Sequence, residues 1–227
     1  MVYPRQERQE FDRELGTIEA KVIDLFNMVA EDLPKATEIL LGAASDGVRA
    51  LADRDRVIDA LYPEIEDLAD RELLLQAPVA QDLRLLISVL RVVPELERSH
   101  DLVVDIARRA SHILNEDLTP RTRTLVEEMG KLAADMWREA VDCWCERDRS
   151  AAAALAIRDE EMNDLYASLI AEIASGRMTV PVTMEMTLVA RFYERLADHA
   201  YNIARRVVYL AGSAPRSPAG ALAGLKG

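Results

Sequence analysis

Two stretches of this chain place carboxylates at a spacing with chemical use: Leu96-Glu97-Arg98-Ser99-His100-Asp101 and Tyr193-Glu194-Arg195-Leu196-Ala197-Asp198. In each, one acid follows another four residues on, so on a helix the two share a face. Like charges at that spacing cost about 0.2–0.5 kcal/mol even when solvated, and more when buried. A cost met twice asks for a compensating partner. More acids at matching spacing lie upstream of each stretch, Asp55 with Asp59 and then Asp159 or Glu160 with Asp164. Facing pairs on two antiparallel helices would offer four oxygens, a set suited to hard cations such as Mg²⁺, Mn²⁺ or Fe. The competing reading is a structural helical scaffold whose acids only form ion pairs, with Arg56, Arg98, Arg195 or surface lysines.

The helical wheel favours the cation. With Glu97 as zero, Asp101 falls at about 40° and Asp105 at about 80°. Leu83, Ile87, Leu90, Val93 and Val104 occupy the same half, so these acids interrupt an apolar stripe instead of lining a polar face. Around Glu194 and Asp198 the signal is weaker, because Arg205 joins Ala190, Ala197, Tyr201 and Val208 there. His100, about 100° round from Asp101, is expected at the surface. A di-iron carboxylate centre would need two Glu-x-x-His motifs on separate helices. Glu97 to His100 is one, but Ala197 stands at the equivalent of His100, and neither His112 nor His199 has a Glu three residues earlier. A ferritin-like oxidase is therefore rejected. Gly-rich phosphate loops, nucleophile elbows and Cys/His pairings are missing too, so the chain does not read as an enzyme.

The elements that carry these residues are repeated. Each Glu-Arg-x-x-Asp is followed at equal distance by Ile-Ala-Arg-Arg, at Ile106–Arg109 and Ile203–Arg206. Asp55 to Tyr62 aligns with Asp159 to Tyr166, and Ala77-Pro78-Val79 with Val180-Pro181-Val182. The offset drops from 104 and 103 in those matches to 97 at the acidic motif, so the second copy has lost about two helical turns between Pro181 and Glu194. This is the signature of a duplicated unit of roughly 100 residues. Apolar residues at three- and four-residue steps predict six long helices: about 10–44, 46–75, 79–115, 120–148, 150–175 and 182–211. Pro34 and Pro63 are expected to kink the first two rather than end them, and Gly176 to cap the fifth. The fold class is all-α, two duplicated three-helix bundles packed side by side. Residues 1–117 form the first repeat, 118–211 the second, and 212–227 a disordered tail.

Composition sets further bounds. The chain has 227 residues, half of them hydrophobic, and a net charge of −12. An acidic chain lacks the basic face that a nucleic-acid backbone requires. No apolar run reaches the ~18–20 residues of a membrane span, and the charged start has no signal-like apolar core, so a cytoplasmic location is expected. Cys143 and Cys145 would point apart on a helix and are expected to act as buried apolar side chains.

Taken together, the motifs resemble a family. Gln76-Ala-Pro-Val-Ala-Gln-Asp-Leu-Arg84, then Pro94 to Asp101 with Ile106-Ala107, are similar to the PhoU phosphate-signalling proteins. So are Val57-Ile58-Asp59-x-Leu61 and Tyr193 to Ala204, and the similarity spans about residues 8 to 211. The resemblance implies paired three-helix bundles holding metal clusters, with Mg, Mn, Fe or Zn as candidate ions. The motif positions are Asp55, Asp59, Glu97, Asp101, Asp159, Glu194 and Asp198. It further implies a cytoplasmic negative regulator of the phosphate regulon. Such a regulator links the ATPase subunit of a phosphate ABC transporter to a membrane sensor histidine kinase, meeting the membrane only through these partners. A further reading within the same family is a phosphate-handling chaperone or drug-tolerance regulator that acts away from the transporter. Exposed apolar helix faces fit a homodimer. Three departures stand out: His100 and Ala197 replace the family's Gly before the motif Asp, Asn163 replaces an acid, and Asp105 replaces an Asn. The first site is accordingly expected to bind more tightly.

Overall fold

A computed structural model describes residues 5–42, 47–113 and 118–212. Among them run six long helices: α1 (Arg5–Leu40), α2 (Gly47–Gln76), α3 (Ala80–Arg109), α4 (Pro120–Glu146), α5 (Ala151–Ala174) and α6 (Val180–Leu210). A short 3₁₀ turn, Ala110–His112, follows α3. The all-α architecture is the one the periodicity predicts. The expected helix ends at Ala44, Asp46 and Asn115, the break beginning at Glu116, and the tail from residue 213 lie outside the described residues.

Local chemistry accounts for the helix ends. Thr119 caps α4, its hydroxyl accepting from the Thr122 amide at 3.0 Å, and Pro120 opens the first turn where its missing N–H costs nothing. Gly176, at φ 73°, follows α5 in the left-handed conformation that a Cβ disfavours. Pro34, Pro63 and Pro94 lie inside helices that continue through them. Burial of Leu33 and Ala36 beside Pro34, and of Ile65 beyond Pro63, offsets the lost backbone bonds.

Within each unit the three helices pack on one another, and the units join through α1 against α4 and α3 against α6. Both junctions are antiparallel. Arg123 donates to the Leu41 carbonyl at one end of α1–α4, and Arg147 pairs with Glu19 at the other. Arg109 meets Glu185 across α3–α6, while Ser99 meets His199 further along. Equivalent helices of the two units thus meet in both junctions.

This arrangement makes the helices unequal. α2 and α5 pack chiefly within their own units and bury narrow seams at seven-residue steps, Leu51, Ile58, Ile65 and Glu72 in α2 and Leu155, Met162 and Leu169 in α5. α1, α3, α4 and α6 bury broader faces, and Phe26, Trp137 and Trp144 form the centre of the α1–α4 junction. Each fully buried Leu, Ile, Val, Phe or Met contributes about 1.5–3 kcal/mol. Buried polar groups fix the register. The Thr37 and Tyr193 hydroxyls lie 2.8 Å apart, and the Trp137 indole donates to the Leu196 carbonyl at 3.0 Å.

The inferred two-turn deletion is distributed differently. From its first residue to the motif acid, α6 (Val180 to Glu194) is about one turn shorter than α3 (Ala80 to Glu97). The rest arises because Pro181 lies inside the first turn of α6, whereas Pro78 precedes α3.

Candidate functional site

The motif acids project from α3 toward α2 in the first unit and from α6 toward α5 in the second. In the first, Asp55 and Glu97 are half-buried and Asp59 and Asp101 exposed, with half-buried Asp105 one turn further along. Burial pushes the Glu97 carboxyl above its ordinary pKa, and Asp101, Asp59 and Asp55 add repulsion. Asp101 is raised likewise, by burial and then by Asp55, Asp59 and Asp105. In the second unit Asp159 is half-buried and raised, first by burial and then by Asp198, Glu194 and Glu160. The fold thus brings the acids of both helices together twice, at equivalent positions.

Their partners differ in a telling way. Neither Glu97, Asp101, Asp59, Asp159 nor Asp198 has a hydrogen-bonding or ion-pair partner among the described residues. The ion pairs a passive scaffold would use are formed elsewhere: Arg56 meets Asp53, not a motif acid. Two motif acids are exceptions: Glu194 meets Arg191 of its own helix at 2.6 Å, and Asp55 meets His100 of α3 at 2.8 Å. Donor type and unrelieved negative charge both fit a hard cation. The side chains do not close on a point, however. Among the described residues no three His, Cys, Asp or Glu groups converge closely enough to hold a metal ion. Carboxylates on facing helices would have to rotate inward to do so.

His100 is not a surface residue. It is fully buried, with Nδ1 2.8 Å from Asp55 Oδ1 and Nε2 3.1 Å from Asp32 Oδ2. The wheel failed because α3 packs on three helices, α1, α2 and α6, so its buried arc is far wider than one stripe. Asp32 is the residue that sequence reasoning missed. It lies on the α1 seam formed by Ile18, Val22, Leu25, Val29, Ala36 and Ile39, where an acid breaks the pattern. Burial alone would raise its pKa. Hydrogen bonds from His100, Lys35 and Arg54 outweigh that and bring it down to about 2. Asp55 is therefore held from behind by an imidazole anchored to α1. Ala197 stands at the corresponding place in the second unit and offers no such bond.

The cysteines divide. Cys143 is buried as expected, its thiol donating to the Asp148 carbonyl and pushed up to about 11 by burial, whereas Cys145 is exposed. Cys145 faces outward because it lies two residues on, across the α4 axis.

Comparison with known proteins bears on the whole chain. The family model described as the PhoU domain matches twice, over residues 22–110 and 126–207. A curated relative from Synechocystis, a phosphate-specific transport system accessory protein PhoU homolog, is 32% identical over 208 residues, covering 90% of this chain and 92% of the relative. A protein of the same description from Zymomonas mobilis is 29% identical over 212 residues, covering 92% and 89%. The crystal structure of PhoU from Pseudomonas aeruginosa superposes with a TM-score of 0.82 at 29% identity, covering 88% of this chain and 98% of that one. That of the phosphate transport system regulatory protein PhoU from Streptococcus pneumoniae gives 0.80 at 28%, covering 88% and 96%. With two matched domains, relatives covered over most of their length and solved PhoU structures that superpose on it, the chain belongs to the PhoU family.

Proposed function

We propose that this chain is an accessory regulator of phosphate uptake whose two carboxylate clusters bind metal ions. The observation that carries the reading is the pair of mutually repelling acid clusters, most of their carboxylates without a partner, at equivalent positions of two PhoU domains. Asp55, Asp59, Glu97 and Asp101 would hold a cation in the first unit, and Asp159, Glu194 and Asp198 in the second. Bound cations would cancel the repulsion and cross-link α2 to α3 and α5 to α6. The first cluster has the larger acid set and the His100 support, and it is the tighter of the two. The relatives' description as accessory proteins of a phosphate-specific transport system supports placing this chain beside such a transporter.

In this reading the protein acts in the cytoplasm, as a homodimer, between the ATPase subunit of a phosphate ABC transporter and the sensor histidine kinase of the phosphate regulon. The units 1–117 and 118–211 serve as its two repeats, followed by the tail. It regulates and does not catalyse. Elemental analysis of chelator-free protein and a melting curve with Mn²⁺ or Mg²⁺ test the chemistry. A ligand at 100 times its Kd adds about 2.7 kcal/mol, a rise of several degrees. A melting temperature indifferent to both ions would instead favour the scaffold whose acids serve only the fold. Deletion should derepress phosphate-starvation genes, and a pulldown should recover the ATPase and the kinase. Light scattering reads the dimer.

A further inference from the structure

A second polar feature lies on the other side of α3, where it runs antiparallel to α6. A cleft of about 280 Å³ opens there, lined by Arg91, Glu95, Asn202, Arg205 and Arg206. In a chain of net charge −12, three guanidinium groups face one carboxylate at this place. Many arginines elsewhere are neutralised, among them Arg54, Arg158 and Arg191, each of which reaches an acid. Arg91, Arg205 and Arg206 reach none among the described residues. Arg205 lies over the Tyr201 ring at 5.7 Å and Arg206 over the Tyr209 ring at 4.6 Å, so each guanidinium sits over an aromatic face instead of against an acid. Arg206 Nη2 is shielded from solvent and has no acceptor. Burial, and then Arg91, lower the pKa of Arg206. Glu95, the single acid, is drawn toward His199 Nε2 at 3.4 Å.

We propose that this cleft binds a small tetrahedral oxyanion, a phosphate group carried either as inorganic phosphate or as a phosphomonoester. A guanidinium fork matches two phosphate oxygens at once, and a fork already held against an aromatic ring loses less freedom on forming those bonds. The Asn202 amide adds a donor of the same kind. The volume lies just under the ~300 Å³ at which pockets for larger ligands begin, which suits a single phosphate. Glu95 competes for the same arginines, so its pairing with His199 favours the anion. The site uses none of the motif acids and stands apart from the metal reading.

Isothermal titration of the full-length protein, with chelator present and ionic strength held constant with chloride, tests it. Inorganic phosphate should bind saturably. Arg91→Met and Arg206→Met should each weaken binding at least tenfold with far-UV circular dichroism unchanged, and Glu97→Gln/Asp101→Asn should leave it intact. Glu95→Gln should bind severalfold more tightly, an effect that a purely structural Glu95 would not produce. Phosphoserine in place of phosphate distinguishes the sources: tighter binding assigns the site to a phosphorylated group, weaker binding to free phosphate. Binding of neither, or equal binding by wild type and both arginine variants, overturns the proposal. If the arginine variants fail to fold, Glu95→Gln decides, and no gain in affinity overturns it. None of these outcomes alters the metal measurements, which read other residues.

Discussion

At the residue scale the most consequential side chain is Asp32, an acid in the apolar seam of α1. Its oxygens take Lys35 at 2.8 Å, Arg54 at 2.7 Å and His100 at 3.1 Å, and through His100 it reaches Asp55. Its pKa, brought to about 2 from 3.8, gives the sign of its pH dependence. A depressed folded-state pKa contributes stability that is fully present above the unfolded value. That stability is lost as pH falls through the folded one. Between pH 4 and pH 2 the wild type should therefore lose about 2 kcal/mol more than Asp32→Asn, read by urea unfolding at each pH. His100→Ala should cost about 2–3 kcal/mol at pH 7, because it strips a buried carboxylate of one partner and opens a cavity. The same variant should weaken metal binding at the first cluster and spare the second, which has Ala197 in that place.

At the scale of the element, α2 against α3 and α5 against α6 are pairings in which packing and charge oppose each other. The seams of Ile58 and Ile65, and of Met162 and Leu169, pull the helices together. The acids beside them push apart. Glu97 and Asp101 have raised pKa values, the reverse of Asp32, so their ionisation costs stability at neutral pH, and that cost is relieved as pH falls through the folded values. With chelator present, Glu97→Gln/Asp101→Asn should raise stability by about 0.5 kcal/mol, because a like-charge pair four residues apart is removed. With Mn²⁺ present the sign should reverse, since the variant cannot gain what the wild type gains. Denaturant melts in both conditions separate the two effects. Stabilisation of wild type and variant alike by Mn²⁺ would remove these residues from the site.

At the scale of the whole molecule, the antiparallel α1–α4 and α3–α6 contacts make one core from two units. The α1–α4 crossing depends on Gly130, where a Cβ would lie 2.5 Å from Thr37 Oγ1 and 2.6 Å from its Cγ2. Thr37 cannot yield readily. It is β-branched within a helix, and its hydroxyl also meets the Leu33 carbonyl and Tyr193 of α6. Gly130→Ala should destabilise by about 1–3 kcal/mol despite the better helix propensity of alanine. Tyr193→Phe, which leaves the Thr37 hydroxyl without its partner, should cost about 1 kcal/mol. Both are measured by thermal or urea unfolding of the full chain.

Much of this protein was determined by sequence alone. Three- and four-residue apolar periodicity specifies six helices, because burial of one stripe needs only local geometry. Duplication of Glu-Arg-x-x-Asp and Ile-Ala-Arg-Arg specifies two units with equivalent acids, because it compares the chain with itself. The same pattern shows Asp32 as an acid out of place, yet gives no sign of which side chains would meet it. That was decided by the tertiary structure: α3 packs on three helices at once, so His100 leaves the surface its wheel position assigns and joins Asp32 of α1 to Asp55 of α2, 23 positions apart in the chain. The arginines around Asn202 likewise come together only where α3 crosses α6, residues about 110 positions apart in the chain. Periodicity records how far a residue lies from its own helix axis. It does not record how many neighbours that helix will have, and the neighbours set which charges are buried, paired or left open to a ligand.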